Sequence, residues 1–498
     1  MITINPPETP TSLQNGPIAL FSPTGYNKVM TNQSLSFKSL REKHPRFVYQ
    51  GYDWKLANDE LVISFDFLLE PDITFKPKIN ISPVTQENID SIPKEVLDKW
   101  IFNLGMIELF SYWKVAASRE ILVKAGPLSR KQIDWWKDLL IRGMGEYFYT
   151  NKINFNRDDF IKISSDHTSR RPSFKFKPTR EYLVPIGGGK DSALVTNLLA
   201  EKGISYDTLL SFPQSPAAMQ IAGNKQIFEI KREFDPKLFE LNKNGYLNGH
   251  TPFSARLAFE GSIVALLLGH KGILLANEFS ANEGNVPYLG TIINHQYSKT
   301  FDFENKFRSY VADNLGSSPE YLSILRPLTE LQIAALFAQN PRFHNVFRSC
   351  NRGQQEDKWC CDCPKCLFVF TILYPFLEEK ELVGPIFPEN LFEKESIVEV
   401  SKELMGLDST KPFECVGTHE ETQAAFYLSI KKWQKNNPDK ELPIVLKEVN
   451  KKVLTNIPDL DKTAELLLCF WNKEHNLDES LEKIIKEAVE KICKGKND

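Results

Sequence analysis

The sequence predicts an α/β protein built on a doubly wound parallel sheet, with an α+β region before the sheet and a mainly helical region after it. Three observations support this fold class. From residue 182 onwards apolar strands alternate with helices, which is typical of a parallel sheet covered by helices on both faces. Short extended segments between polar turns precede that pattern, and Lys/Glu-rich helical periodicity follows it.

The elements before the sheet belong to residues 1–165, which we predict to form an accessory domain. Segments 47–49 and 61–67 are expected to be antiparallel strands joined by a polar turn. Ser129 precedes a helix predicted over 130–148. No residue spacing in this region indicates catalysis, so its role stays open.

Changes in composition then set the remaining boundaries. Residues 166–181 form a basic linker, whose charges are either solvated or lie over phosphates bound downstream. The α/β domain spans 182–345, a cysteine-rich knuckle with its following helix spans 346–380, and the helical region spans 381–498. Within the α/β domain we expect strands over 182–186, 205–212, 228–234 and 272–276, and helices over 191–202 and 254–268.

The overall composition excludes several classes of protein. Of the 498 residues, 42% are hydrophobic and 25% charged, as in ordinary globular chains. The net charge of −3 disfavours a protein whose main task is to coat nucleic acid. No run reaches the roughly 20 apolar residues of a membrane helix, and the first residues lack a signal-peptide pattern. We therefore expect a cytoplasmic protein with no membrane segment.

A glycine-rich loop connects the first strand of the α/β domain to its first helix. The loop consists of Gly187, Gly188, Gly189, Lys190, Asp191 and Ser192. Glycines let the backbone approach an anion closely, and the helix that follows adds its positive N-terminal end. Lys190 can neutralise phosphate charge, while Asp191 can hold Mg²⁺ or cap the helix. The loop is neither a Walker A nor a GxGxxG motif, and it predicts a phosphate site; the alternative is a purely structural turn.

Polar segments are also predicted at the carboxyl ends of later strands, where open α/β sheets bind their ligands. The residues singled out there are His250, Asn277, Glu278, Glu283, Asn285 and His295. This density of amides and carboxylates suits a polar ligand or a metal-bridged phosphate. The alternative is an ordinary hydrophilic loop, because Asn and Gly are common in turns.

Cysteines form a compact cluster in the knuckle. Cys350, Cys360, Cys363 and Cys366 have spacings that allow tetrahedral binding of zinc. Four cysteine ligands leave no open coordination position, so the zinc would be structural. Cys361 is surplus and can exchange with Cys360, and unmetallated or redox-active thiols are the alternative.

A further thiol lies in the polar segment 411–421, which also contains His419. Cys415 can act in proton transfer if a neighbouring cation lowers its pKa, and Lys411 or His419 can supply that charge. A small buried structural cysteine is the alternative interpretation.

The glycine loop resembles the SGGxDS loop of the ATP-pyrophosphatase (PP-loop) superfamily, with Gly187 in place of the serine. This resemblance implies an adenine nucleotide α-hydrolase-like fold that cleaves ATP to AMP and pyrophosphate and activates an oxygen as an adenylate. The loop, the Arg326-Pro327-Leu328 segment and the cysteine cluster are together similar to 7-cyano-7-deazaguanine synthases over about residues 180–370.

Six sequence blocks in order give a closer resemblance, namely GGGKDS, NGHTPFS, NEFSANEGN, HQYSK, WCCDCPKC and KPFECVG. They are similar to the UDP-N-acetylmuramoyl-L-alanyl-L-glutamate epimerase family of bacterial cell-wall synthesis. The resemblance implies ATP on the glycine loop, Mg²⁺ near Asp191 or Glu278, and a UDP-muramoyl dipeptide facing the other polar residues. Cys415 with His419 is the candidate for proton transfer. The base, the activated carboxyl and the oligomeric state stay open.

Two other functions are compatible with the sequence. One is a PP-loop ligase or thiolase that modifies a nucleobase or tRNA, which the basic linker favours and the acidic balance disfavours. A thiolase would also need an exposed cysteine beside the loop, whereas the cluster is predicted to hold zinc. The other is a non-catalytic nucleotide-binding zinc scaffold, which would not need Asp191 or the carboxylates of residues 277–285.

Overall fold

The computed structural model describes residues 35–157, 159–165, 171–211, 215–353, 356–407, 410–452 and 454–494. The N-terminal segment assessed for a signal peptide, the first part of the predicted basic linker and the end of the strand predicted to reach Phe212 lie outside these residues. Among the described residues, no helix combines the length and the apolar character needed to cross a bilayer.

The elements agree with the predicted alternation of strands and helices. The strands are β1 (Arg46–Ala57), β2 (Glu60–Leu69), β3 (Ile73–Phe75), β4 (Lys78–Ser82), β5 (Glu120–Val123), β6 (Lys162–Ser165), β7 (Arg180–Pro185), β8 (Tyr206–Leu210), β9 (Ile227–Glu233), β10 (His270–Leu275), β11 (Val286–Tyr288), β12 (Thr291–Ile293) and β13 (Glu320–Ser323). The helices are α1 (Phe37–Lys43), α2 (Gln86–Asp90), α3 (Lys94–Glu108), α4 (Phe110–Trp113), α5 (Arg130–Gly143), α6 (Gly145–Thr150), α7 (Lys190–Glu201), α8 (Pro216–Ala222), α9 (Pro236–Lys243), α10 (Phe253–Leu268), α11 (Phe301–Asn314), α12 (Glu330–Ala338), α13 (Pro364–Leu373), α14 (Glu379–Leu382), α15 (Val398–Leu404), α16 (His419–Asn436), α17 (Ile444–Lys452), α18 (Leu460–Leu468) and α19 (Glu479–Lys494).

One sheet of 11 strands runs through the molecule in the order β13-β10-β7-β8-β9-β4-β2-β1-β5-β6, with β3 beside β2. Strands β13, β10, β7, β8 and β9 pair in parallel, which confirms the predicted parallel-dominated α/β sheet. Strand β4 pairs antiparallel with β9 and places Asn80 opposite Lys231. The strands before the basic linker therefore continue the same sheet as the strands after it.

Helices cover both faces of the parallel part of this sheet. Along the central strands, Leu183 and Ile273 belong to a core cluster with α3, α5 and α10, whereas Val184 and Leu274 belong to a cluster with α7, α12 and α13. Successive side chains of a strand point to opposite faces, so each apolar run is buried on both sides. The ligand-binding edge is left at the carboxyl ends of the strands.

Two local features differ from what the sequence indicates. The helix predicted over 130–148 is two helices, α5 and α6, because Met144 leaves helical geometry with φ −105° and ψ 19°. The break reorients the chain and places Glu146 at the start of α6. The second feature is a disulfide between Cys469 and Cys493, which joins the end of α18 to α19.

Candidate active site

The glycine loop lies between the carboxyl end of β7 and the start of α7. Gly188 has φ +88°, and a Cβ added there would lie 3.2 Å from Ala217 Cβ, so a glycine is required. A Cβ built at Gly187 would meet no described atom within 4 Å, so the space over that residue is open. Ser192 Oγ donates to the Gly189 carbonyl at 3.1 Å, and among the described residues no side chain caps α7. The first amides of α7 are thus available to an anion.

Buried charges lie directly behind the loop. Lys190 is 1% exposed and forms ion pairs with Asp191 and with Glu330, the first residue of α12. Burial alone would raise the pKa of Asp191, but the ammonium groups of Lys190 and Lys365 outweigh it and lower that pKa. Burial raises the pKa of Glu330 to about 7. Asp191 is therefore the ionised carboxylate of this group, and Glu330 is a member that the sequence did not single out.

Loop residues after β10 are held by buried polar contacts. Arg326 donates to the backbone carbonyls of Glu278 at 2.8 Å and Lys299 at 2.6 Å, which fixes both residues. The Glu278 side chain is buried, and burial raises its pKa. Asn277 Nδ2 donates to Ser323 Oγ at 3.1 Å, so this amide bridges β10 to β13.

Cys415 lies against this loop, where neighbouring charged groups lower the pKa of its thiol. Lys299 Nζ lies 3.3 Å from Cys415 Sγ, and His295 also hydrogen-bonds the sulfur. Burial alone would raise the pKa of Cys415, but Lys299 and His295 lower it to about 5. Burial alone would lower the pKa of His295, but its hydrogen bonds to Cys415 and Glu146 raise it to about 9. At neutral pH the two side chains therefore form a thiolate–imidazolium pair.

Glu146 completes this cluster from the region before the basic linker. Its Oε2 lies 2.5 Å from His295 Nδ1 and 3.8 Å from His250 Nδ1, and the ligand atoms of the three residues lie within 4.8 Å of one another. Two ligands of a tetrahedral metal at 2.0–2.1 Å would be about 3.3 Å apart, so 2.5 Å is a hydrogen-bond distance. Burial and the charge of His295 lower the pKa of His250, which is neutral at pH 7.

Asn285 and Glu283 connect the part of the cluster around His295 to the segment that carries Cys415. Asn285 Nδ2 donates to the Pro412 carbonyl at 2.8 Å, while its Oδ1 accepts from the His295 backbone N–H at 2.7 Å. Glu283 Oε1 accepts from Lys411 Nζ at 3.0 Å. The sequence suggested both residues as substrate ligands, and in the structure their side chains anchor the segment that carries Cys415.

His419, which the sequence suggested as the partner of Cys415, begins α16. Its Nδ1 lies 3.1 Å from the Leu404 carbonyl, and its ring packs so closely on Gly406 that a Cβ there would lie 2.9 Å from His419 Cγ. The groups that contact the thiol come from the segment after β12 instead. No local pattern signals this contact, because His295 and Lys299 lie more than a hundred residues before Cys415 in a separate polar block.

The cysteine cluster forms a compact group beside this site. The sulfurs that lie within 4.8 Å of one another are those of Cys350, Cys360, Cys363 and Cys366. Cys361 is outside the group, because its backbone is left-handed with φ 56° and its thiol points to the Trp359 carbonyl at 3.8 Å. Lys365, within the cluster, donates through Nζ to the backbone carbonyl of Cys415. The group can bind a metal, and it supports the segment that carries the thiolate.

Comparison with known proteins gives consistent matches along the chain. The family model described as MurL N-terminal domain matches residues 38–324, and that described as MurL C-terminal domain matches residues 346–459. Three relatives are named UDP-N-acetyl-alpha-D-muramoyl-L-alanyl-L-glutamate epimerase. A protein of Micromonospora sp. is 32% identical over 400 residues, covering 77% of this chain and 86% of the relative.

The other two relatives are similarly distant. The Salinispora tropica protein is 31% identical over 398 residues, covering 77% of this chain and 84% of the relative. The Xanthomonas oryzae pv. oryzae protein is 32% identical over 332 residues, covering 65% of this chain and 72% of the relative. No solved structure matches the chain significantly.

Proposed function

The chain belongs to the MurL family, and we propose that it is a cytoplasmic, ATP-dependent epimerase of peptidoglycan precursor synthesis. Its substrate is UDP-N-acetylmuramoyl-L-alanyl-L-glutamate, and it converts the terminal L-glutamate to D-glutamate. A glutamyl carboxyl is first adenylated, with release of pyrophosphate, and AMP leaves when water hydrolyses the acyl-adenylate. The names of the relatives support this substrate over a nucleobase, a tRNA or a scaffold role.

Adenylation is the step that makes proton removal feasible. The α-proton of a glutamyl carboxylate is hard to remove because the product carries two adjacent negative charges. An acyl-adenylate lacks the first of these charges, and its carbonyl accepts the electron pair of the broken C–H bond. A base of modest strength then suffices.

One observation carries the proposal: an ionised thiol shares a buried charge cluster with the carboxylate of the glycine loop. Lys299 contacts Cys415 directly, and its charge also acts on Asp191. Lys365 donates to the Cys415 carbonyl and likewise lowers the pKa of Asp191. Activation of a carboxyl at the loop and proton transfer at the thiol can therefore occur on one bound substrate.

The residues present fit a nucleoside triphosphate and its metal. The phosphates would lie over Gly187–Ser192, where the space above Gly187 is open and no described side chain caps the first amides of α7. Asp191 or Glu278 would hold Mg²⁺, which would neutralise phosphate charge. The four grouped cysteines would hold a structural Zn²⁺.

The protein's own groups then act on the substrate. Cys415, as thiolate, accepts the α-proton, so one C–H bond breaks and one S–H bond forms. A solvent-derived proton arriving at the opposite face of the α-carbon completes the inversion. Neutral His250 lines the substrate side, whereas Asn277, Glu283, Asn285 and His295 fix the loops around it.

The test is an incubation of the protein with ATP, Mg²⁺ and the L-glutamyl substrate in D₂O. We expect AMP and pyrophosphate together with D-glutamate that carries deuterium at the α-carbon, detected after hydrolysis by chiral separation and mass spectrometry. AMP release without deuterium uptake would retain adenylation and exclude the epimerase. Absence of AMP would exclude the proposed substrate and move a nucleobase- or tRNA-modifying activity to first place.

A further inference from the structure

We infer that Glu146, His295 and Cys415 form one relay, in which Glu146 is a positioning residue that keeps the imidazole charged and aimed at the catalytic thiol. For its catalytic meaning the inference rests on the proposed function. It assigns a role to the region before the basic linker, for which neither residue spacing nor the names of relatives give one.

The Glu146 carboxylate lies directly against the His295 imidazole. The break at Met144 starts α6 and places Glu146 where it is only 6% exposed. Its Oε2 is 2.5 Å from His295 Nδ1, a short charge-assisted hydrogen bond. Asn285 accepts from the backbone N–H of His295, so the imidazole is held at the backbone and at the ring.

The Glu146 carboxylate also stabilises the charge of the imidazole. His295 is 8% exposed, and burial of a charged imidazole without a partner is unfavourable. The cations Lys299 and Lys365 face the same thiol and would also repel a charged imidazole. Glu146 is the carboxylate that contacts His295 directly, and it therefore compensates both effects.

Other charged groups around the thiol do not replace Glu146. Glu278 and Glu414 also face Cys415, and both act against its ionisation. His250 packs beside His295 with ring centroids 4.5 Å apart and the rings tilted by 45°, and it is neutral. The thiolate consequently depends on the Lys299 ammonium and on the imidazolium that Glu146 sustains.

An activated nucleophile or base is commonly paired with a second group, and a third group orients that second group. Here Cys415, His295 and Glu146 take these three roles in that order. The consequence is that the active site draws on three parts of the chain. The region before the linker supplies Glu146, the segment after β12 supplies His295, and the C-terminal part supplies Cys415.

The experiment measures thiol ionisation in the absence of any substrate. The full-length Glu146→Gln variant and the unaltered protein are alkylated with iodoacetamide over a pH series, and modification of Cys415 is followed by peptide mass spectrometry. We expect the midpoint for alkylation of Cys415 to move upward by about 1–3 pH units, with full reactivity restored at high pH. An unchanged midpoint in a folded variant would overturn the inference.

A second variant, Glu146→Asp, separates charge from shape. Glu146→Asp keeps the charge and loses reach, whereas Glu146→Gln keeps the shape and loses the charge. An electrostatic role places the Asp midpoint nearer to that of the unaltered protein, and a purely steric role reverses the order and contradicts the inference. Glu120→Gln is the matched control, because this carboxylate of β5 pairs with Arg46 and Lys162 away from the site.

A spectroscopic measurement keeps the test decisive if the Gln variant does not fold. In the unaltered protein with ¹⁵N-labelled histidine, we expect His295 to stay doubly protonated at neutral pH, with its signals assigned through His295→Gln. A neutral His295 at pH 7 would overturn the inference. Neither measurement uses substrate, so the relay and the epimerase activity are tested separately. The relay can be refuted while epimerisation in D₂O is still observed, and epimerisation can be absent while the relay is present.

Discussion

Lys299 Nζ lies 3.3 Å from Cys415 Sγ, although 116 positions of sequence separate the two residues. The contact places the Lys299 ammonium against the Cys415 thiol, and both side chains are half-buried. It is held from both sides, because Arg326 fixes the Lys299 carbonyl and Asn285 anchors the segment of Cys415. The reactivity of the thiol is thereby tied to the tertiary fold.

Removal of the ammonium in Lys299→Met is expected to raise the pKa of Cys415 from about 5 toward its ordinary value. The thiolate fraction at neutral pH then falls, and α-deuterium uptake falls on the order of tenfold or more, with recovery at higher pH. Lys299→Arg keeps the charge and serves as the control. Equal losses in Met and Arg variants, without any change of pH profile, would contradict an electrostatic role.

The pH dependence of the reaction is expected to follow the ionisation of Cys415. Its rate rises as Cys415 loses its proton near a pKa of about 5 and stays level above that range, because the thiolate persists when His295 loses its proton near a pKa of about 9. The measurement is the initial rate of α-deuterium uptake across this range with saturating ATP and substrate. A single rise near the ordinary thiol pKa of about 8.5 would show that the thiol is not activated.

The two neighbouring loop glycines should differ in their tolerance of a side chain. Gly188→Ala forces a side chain into a left-handed backbone against Ala217, which costs about 1–2 kcal/mol in the free energy of unfolding. Gly187→Ala meets no described atom, so stability stays within about 0.5 kcal/mol, and ATP binding is retained because the SGGxDS loop that this loop resembles has a serine there. Chemical denaturation and ATP titration measure the two effects. Equal destabilisation by the two substitutions would contradict the difference in backbone conformation.

The side chain of Asn285 should be required to keep the Cys415 segment in place. Asn285→Ala removes the bonds to Pro412 and His295 and is expected to cost about 1–3 kcal/mol. Hydrogen exchange should become faster in residues 411–418, with activity lost in parallel. Asn314→Ala, which removes one amide contact to Tyr310 within α11, is the control. Unchanged exchange in the segment would refute the anchoring role.

Substitution of Cys360 and substitution of the adjacent Cys361 should have different effects on metal binding. Cys360→Ser is expected to lose bound zinc and to lower the thermal midpoint, because one ligand of four is removed. Cys361→Ser should keep both, since its thiol points away from the group. Metal analysis of the two purified variants checks the difference. Equal zinc content in both would show that the thiols exchange or that zinc is not bound.

The sequence by itself determined the local elements and the kind of chemistry. Apolar runs predicted the parallel strands β7, β8, β9 and β10 within one or two residues, since strand periodicity is a local property, whereas the parallel strand β13 was not predicted. The glycine loop and the cysteine spacing were likewise visible, because each is set by short stretches of chain. The family followed from six short blocks in order.

Only the tertiary structure decided which polar groups meet. Glu146 and Glu330 carry no local pattern, and they reach the site because α6 and α12 pack at its edge. Cys360 differs from Cys361 only through backbone geometry. His295, rather than His419, contacts Cys415, because loops that follow different elements converge where the strands end. Charges interact through space rather than along the chain, so the ionised thiol is a property of the folded molecule.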